Sequence, residues 1–110
     1  MSTRSRIAVL LADGSYRSIY CHFDGDLVGQ ILREYFPTEH DARVLVDLGD
    51  ISFITKDGAK SYKEMGDSWH LVKPKRSTDL QALTVLAYDT GAEYLHYWQE
   101  GQWHTIQMSW

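Results

Sequence analysis

Apolar positions dominate the stretch from Ile7 to Phe23, and they are interrupted once. Ile7-Ala8-Val9-Leu10-Leu11-Ala12 runs into Asp13-Gly14, after which Ser15-Tyr16-Arg17-Ser18-Ile19-Tyr20-Cys21-His22-Phe23 resumes the pattern. Asp-Gly supplies the positive φ angles of a two-residue turn, so the pattern predicts a β-hairpin. In that register Leu11 faces Tyr16, Val9 faces Ser18 and Ile7 faces Tyr20, with Ala8, Leu10, Ile19 and Cys21 on the opposite face. Apolar residues on both faces predict central strands.

From there the period changes. In 26–36 the residues Leu27, Val28, Ile31, Leu32, Tyr35 and Phe36 recur at one-sided helical spacing, with Asp24 or Asp26 as cap. Pro37 ends this helix, Thr38 caps a second over 39–48 with Ala42, Leu45 and Val46 inward, and Gly49 stops it. The pattern then weakens over 50–77, which reads as an irregular segment with a turn at Lys56–Ala59 and a short strand around Trp69–Val72. Pro74 argues against a central strand nearby. Ser77 or Thr78 caps a third helix over 79–90, striped by Leu80, Leu83, Leu86 and Ala87 and closed by Gly91. A second hairpin follows, turning at Glu100-Gly101, with Trp98 opposite Trp103 and Leu95 opposite Ile106. The order β-β-α-α-loop-α-β-β predicts one α+β domain over 1–110: a mainly antiparallel sheet of about four strands with helices packed on one face.

Composition narrows the function classes. With 44% hydrophobic and 24% charged residues the chain has the balance of a folded domain rather than a disordered one. A net charge of −4 disfavours a nonspecific grip on nucleic acid, which relies on clustered Lys and Arg. Arg4 with Arg6, and Lys73 with Lys75 and Arg76, are short runs that read as solvated surface. Cys21 is the single cysteine, and neither a secretory h-region nor a membrane-spanning apolar run is visible. A bacterial cytoplasm with no membrane partner is the expected setting.

The densest polar and aromatic cluster is Tyr20-Cys21-His22-Phe23-Asp24-Gly25-Asp26, at a strand end and a helix mouth. Cys21 and His22 are strand neighbours and point to opposite faces, so they form no thiol–imidazole dyad, and Cys21 reads as a small buried thiol. His22, Asp24, Asp26, His40, His70, His96 and His104 show no paired metal-ligand spacing, and His96 and His104 fall on opposite faces of their hairpin. No glycine-rich phosphate loop and no GxSxG elbow occurs, so no catalytic residue, metal or cofactor is assigned. Tyr20, His22, Phe23, Asp24 and Asp26 remain as candidate binding residues, joined by Trp69, Trp98 and Trp103, because Trp and Tyr anchor interfaces. Core packing is the alternative for the Trp98/Trp103 pair, and Trp110 is harder to explain by packing.

The residues Ser5-Arg6-Ile7 and Ser18-Ile19-Tyr20-Cys21-His22-Phe23-Asp24-Gly25 resemble a group of small proteins of unassigned activity encoded by phages, prophages and plasmids. That group's usual form is SRI…SIYCHWDGY. The likeness extends to Leu48-Gly49-Asp50-Ile51-Ser52 and more loosely to Thr90–Tyr94 and the Trp-bearing hairpin. Phe23 stands where the group has Trp, and Asp26-Leu27 replaces its Tyr-Pro. The resemblance implies a genomic setting in which small acidic proteins block or redirect host components, as anti-CRISPR and anti-restriction inhibitors do. The expectation is a non-enzymatic protein that binds a host or defence-system protein. Two alternatives stand beside it: a domain that sequesters a nucleotide-like ligand through Tyr20, His22 and Asp24, and a homodimeric structural protein.

Overall fold

The first hairpin forms with its strands one residue out of the expected register. A computed structural model describes residues 3–108; Trp110 lies outside them. Strands β1 (Ser5–Leu10) and β2 (Tyr16–Cys21) pair as Leu10↔Tyr16, Ala8↔Ser18 and Ile7↔Ile19. The turn is a five-residue loop, because Asp13 uses its carboxylate to accept from Ser15 N at 3.0 Å while Leu11 N donates to Ser15 O at 2.8 Å. A one-residue slip exchanges the faces of one strand. Ile7 and Val9 therefore join Ile19 and Cys21 on one face, and Ala8 and Leu10 join Tyr16 on the other.

Helices α1 (Gly25–Tyr35) and α2 (Glu39–Asp47) form where predicted, α1 burying Val28 and Leu32 of its expected stripe while Leu27 and Tyr35 stay exposed. Thr38 caps α2, accepting from Asp41 N at 3.1 Å. The 50–77 segment is more regular than its sequence suggests: β3 (Ile51–Thr55), β4 (Gly58–Ser61), a single helical turn α3 (Trp69–Val72) in place of the expected short strand, and β5 (Lys75–Ser77). Helix α4 (Leu80–Asp89) is capped by Asp79 rather than Ser77 or Thr78, its carboxylate accepting from Ala82 N at 2.8 Å. In the last hairpin, β6 (Tyr94–Gln99) and β7 (Gln102–Gln107) pair as expected, Trp98↔Trp103 and Leu95↔Ile106.

The chain is α+β, but the expected mainly antiparallel sheet of about four strands with helices on one face is corrected. Among the described residues seven strands form one mixed sheet of order β4-β3-β2-β1-β6-β7, with β5 beside β2. β3 is parallel to β2 and β6 is parallel to β1. The cause is connectivity, since parallel neighbours require a crossover, and the helices supply two. α1 and α2 carry the chain from β2 to β3 across the face where Val28, Leu32, Ala42, Leu45 and Val46 meet Ile7, Val9 and Ile19. α4 carries it from β5 to β6 across the opposite face, where Leu83 and Ala87 meet Ala8 and Leu95. Each face thus has its own helical cover and its own apolar cluster.

Candidate functional site

The outer edge of β2 is shared by two short strands that leave a gap between them. β5 pairs with Tyr16–Ser18, and β3 begins at Cys21↔Ile51 and continues through His22 N to Ile51 O at 3.2 Å and Phe23 N to Ser52 O at 3.0 Å. The Asp50 side chain bridges the gap, its Oδ1 accepting from Tyr20 N at 2.9 Å. The Asp50 backbone is held as well, donating to Val72 O at 2.8 Å and accepting from Tyr62 N at 3.0 Å. Opposite Tyr20 on β1 stands Arg6, only 1% exposed, whose Nε donates to Ser18 Oγ at 2.8 Å. Its Nη2 meets no hydrogen-bond partner among the described residues. Burial lowers the Arg6 pKa to about 10 against the opposing pull of Asp50, and burial likewise raises that of Asp50.

Next to Arg6 and Asp50 the predicted cluster comes partly together. The Tyr20 hydroxyl and His22 Nδ1 are 2.6 Å apart, and His22 stands edge-on to Phe23 at 4.5 Å between ring centroids. Phe23 is exposed, as are Asp24 and Asp26 at the mouth of α1. Asp24 occupies the N-cap position with φ 59° and makes no side-chain cap bond. Cys21 points into the core, its Sγ 3.5 Å from Phe23 O, and burial pushes its pKa up to about 11. A thiol so protected stays protonated at neutral pH and is a poor nucleophile.

The three candidate tryptophans separate. Trp98 and Trp103 meet edge to face at 5.6 Å and lie in the core beneath α1 and α2, with Trp103 Nε1 donating to Phe36 O at 2.8 Å. Trp69 lies on α3 and is 38% exposed. It lines an open groove of about 410 Å³ with Asp47, Leu48, Ser61, Lys63 and Glu64. Lys63 Nζ stands 5.2 Å from the Trp69 ring centroid, a cation–π distance. The indole is seated against Gly49, whose φ of 80° and missing Cβ allow the ring and the Val72 carbonyl to close on it.

Three residues with no expected site role prove structurally decisive, among them Arg6, which is buried where solvated surface was expected. Arg6 is buried beside Tyr20 and feels the charge of the half-buried Asp50 without a direct ion pair among the described residues; a charged residue at the start of a predicted central strand was the available signal for Arg6. His96, 1% exposed, has no such signal. Its Nε2 is 3.1 Å from Gly25 O, a pure acceptor, so this nitrogen carries the proton. Nδ1 then accepts from Thr105 Oγ1 at 2.9 Å, and Thr105 in turn accepts from the Arg33 guanidinium at 3.0 Å. Burial lowers the His96 pKa to about 4, which keeps the ring neutral.

Among the described residues no group of three or more His, Cys, Asp or Glu side chains could hold a metal ion, and no helix is long and apolar enough to cross a membrane. Comparison with protein-family models, with curated proteins and with solved structures returned no match.

Proposed function

We propose that the chain is a non-enzymatic binding protein of phage or mobile-element origin that engages a host or defence-system protein through the Trp69 groove. The observation that carries this reading is the pre-set geometry of Trp69. An exposed indole seated against Gly49 loses little freedom on binding, and interface energy concentrates on such anchors. Exposed Leu71 and Met65 add apolar surface on the neighbouring segments, and Asp47, Lys63 and Glu64 give the groove a charged rim. The burial and high pKa of Cys21 weigh against thiol chemistry, and the side chains around Tyr20 are engaged in structural bonds.

The test is phage plating on a panel of bacteria carrying different defence systems. Expression of the chain is expected to restore plating on at least one host, and Trp69→Ala, checked for folding by circular dichroism, is expected to lose that effect. Unchanged plating on every host, or a Trp69→Ala variant as potent as the parent, rejects the proposal.

A further inference from the structure

Among the described residues three strands pair on one side only, β4, β5 and β7, and their open edges are built differently: β5 has three residues, two of them cationic. β4 has four residues and carries Lys60, two features that discourage a further strand from adding. β7 has six, Gln102-Trp103-His104-Thr105-Ile106-Gln107, with no charged residue, no proline and an unbroken register. Its free hydrogen-bonding groups follow from its pairing with β6. Met108 N donates to Glu93 O at 2.8 Å, so Met108 bonds inward and the neighbouring Tyr94/Gln107 pair is a non-bonded one. Bonded and non-bonded pairs alternate along an antiparallel ladder, so Ile106, His104 and Gln102 also bond inward. Trp103, Thr105 and Gln107 turn their N–H and C=O groups away from β6, and no backbone bond from another described element reaches them.

We infer that β7 pairs antiparallel with β7 of a second copy of this chain, across a two-fold axis at Thr105. An axis perpendicular to the sheet keeps each face on its own side, so only residues of the same face stand opposite one another. Centring on Thr105 sets Thr105 against its own copy and Trp103 against Gln107 of the second copy, and it engages every outward group on both strands. Centring on His104 pairs Trp103 with Thr105 and leaves Gln107 unused. The partner must offer an equally bare edge without charge, and a second β7 is the strand that does. Both side-chain faces suit the pairing: Thr105 meets Thr105, a favourable cross-strand pair, and His104 meets Ile106. The inference is independent of the Trp69 groove, which lies toward the β4 end of the sheet.

Sedimentation equilibrium over a wide protein concentration range tests it, at salt sufficient to screen the two Arg33 side chains that the axis brings near each other. The expected result is a concentration-dependent monomer–dimer equilibrium. Gln107→Pro removes an outward N–H without touching the β6 ladder and is expected to weaken the dimer at least tenfold; Gln107→Lys, which keeps the whole backbone, is expected to act in the same direction. Thr105→Cys is expected to form a disulfide-linked dimer on oxidation, because directly opposed bonded residues have the right Cα separation, whereas Gln102→Cys stays unlinked. A monomer at all concentrations, a dimer indifferent to both Gln107 variants, or equal cross-linking at the two cysteine positions overturns the inference.

Discussion

A methyl group placed on Gly49 would lie 2.8 Å from Cζ3 of Trp69 and 2.6 Å from the carbonyl oxygen of Val72. The most exposed tryptophan among the described residues is therefore fixed by the absence of a side chain on the residue that ends α2. Gly49→Ala combines a strained positive φ with a double clash and is expected to cost about 3 kcal/mol. Gly14→Ala, at φ 87° with open space around it, isolates the backbone strain and is expected to cost about 1 kcal/mol. Urea denaturation of the two variants gives the comparison; equal costs would show that Trp69 moves aside freely.

The charges of Arg6 and Asp50 are a second measurable feature. Arg6→Ala empties a fully buried side-chain volume and takes the donor from Ser18 Oγ, so it is expected to lose about 2–4 kcal/mol. Arg6→Met, which fills the volume without charge, is expected to lose less than about 2 kcal/mol, because the desolvation cost of the guanidinium goes with it. Asp50→Asn keeps an acceptor for Tyr20 N but leaves Arg6 without its counter-charge, and it should fall between the two. Chemical denaturation ranks the three variants, and a reversed order for the two Arg6 variants would exclude a buried, costly guanidinium.

His96 makes stability depend on acid. Its pKa is about 4 in the folded chain and near the ordinary 6.5 when unfolded. At pH below 6.5 the unfolded chain binds the proton that the folded chain refuses, so the stability contribution is complete above pH 6.5, declines as pH falls, and is exhausted near pH 4. The loss across that window is roughly 3 kcal/mol. His96→Gln is expected to be less stable at neutral pH and to show a shallower slope between pH 6.5 and 4. A parallel slope in the variant would place the acid sensitivity elsewhere.

Cys21 is expected to react with a thiol reagent only through unfolding. Its burial and its pKa of about 11 both suppress the thiolate. The labelling rate at pH 7 should rise with urea in parallel with the unfolded fraction, and fast labelling of the native chain would show an accessible thiolate.

The sequence carried the three longer helices and both hairpins because each is a local pattern: the Val28–Leu32 stripe, the Thr38 cap and the Glu100-Gly101 turn can each be read within a dozen residues. Glu100 and Gly101 indeed take the positive φ values of 52° and 82° that such a turn requires. The register of the first hairpin was less legible, since the Asp13 carboxylate bond to Ser15 builds a longer loop than Asp-Gly alone implies. β3 was obscured by its own irregularity. Its pairing with β4 shifts between Ile51 and Phe53, which breaks the two-residue alternation that marks a strand. Without β3 and β5 the helices had no parallel strands to connect, and the mixed sheet with helices on both faces could not be foreseen. The candidate site was legible to the extent that it is contiguous. Tyr20, His22 and Phe23 do meet, whereas the Arg6–Asp50 proximity and the Gly49–Trp69 contact depend on segments brought together only by the fold.

Affinity capture from phage-infected bacteria, with the parent chain and Trp69→Ala compared side by side, tests the binding role of the Trp69 groove most directly. The account predicts a host or defence-system protein recovered in near-stoichiometric amount by the parent and lost by the variant, with both baits folded and equally abundant. Recovery of the same protein by both baits, or of none by either, would contradict it.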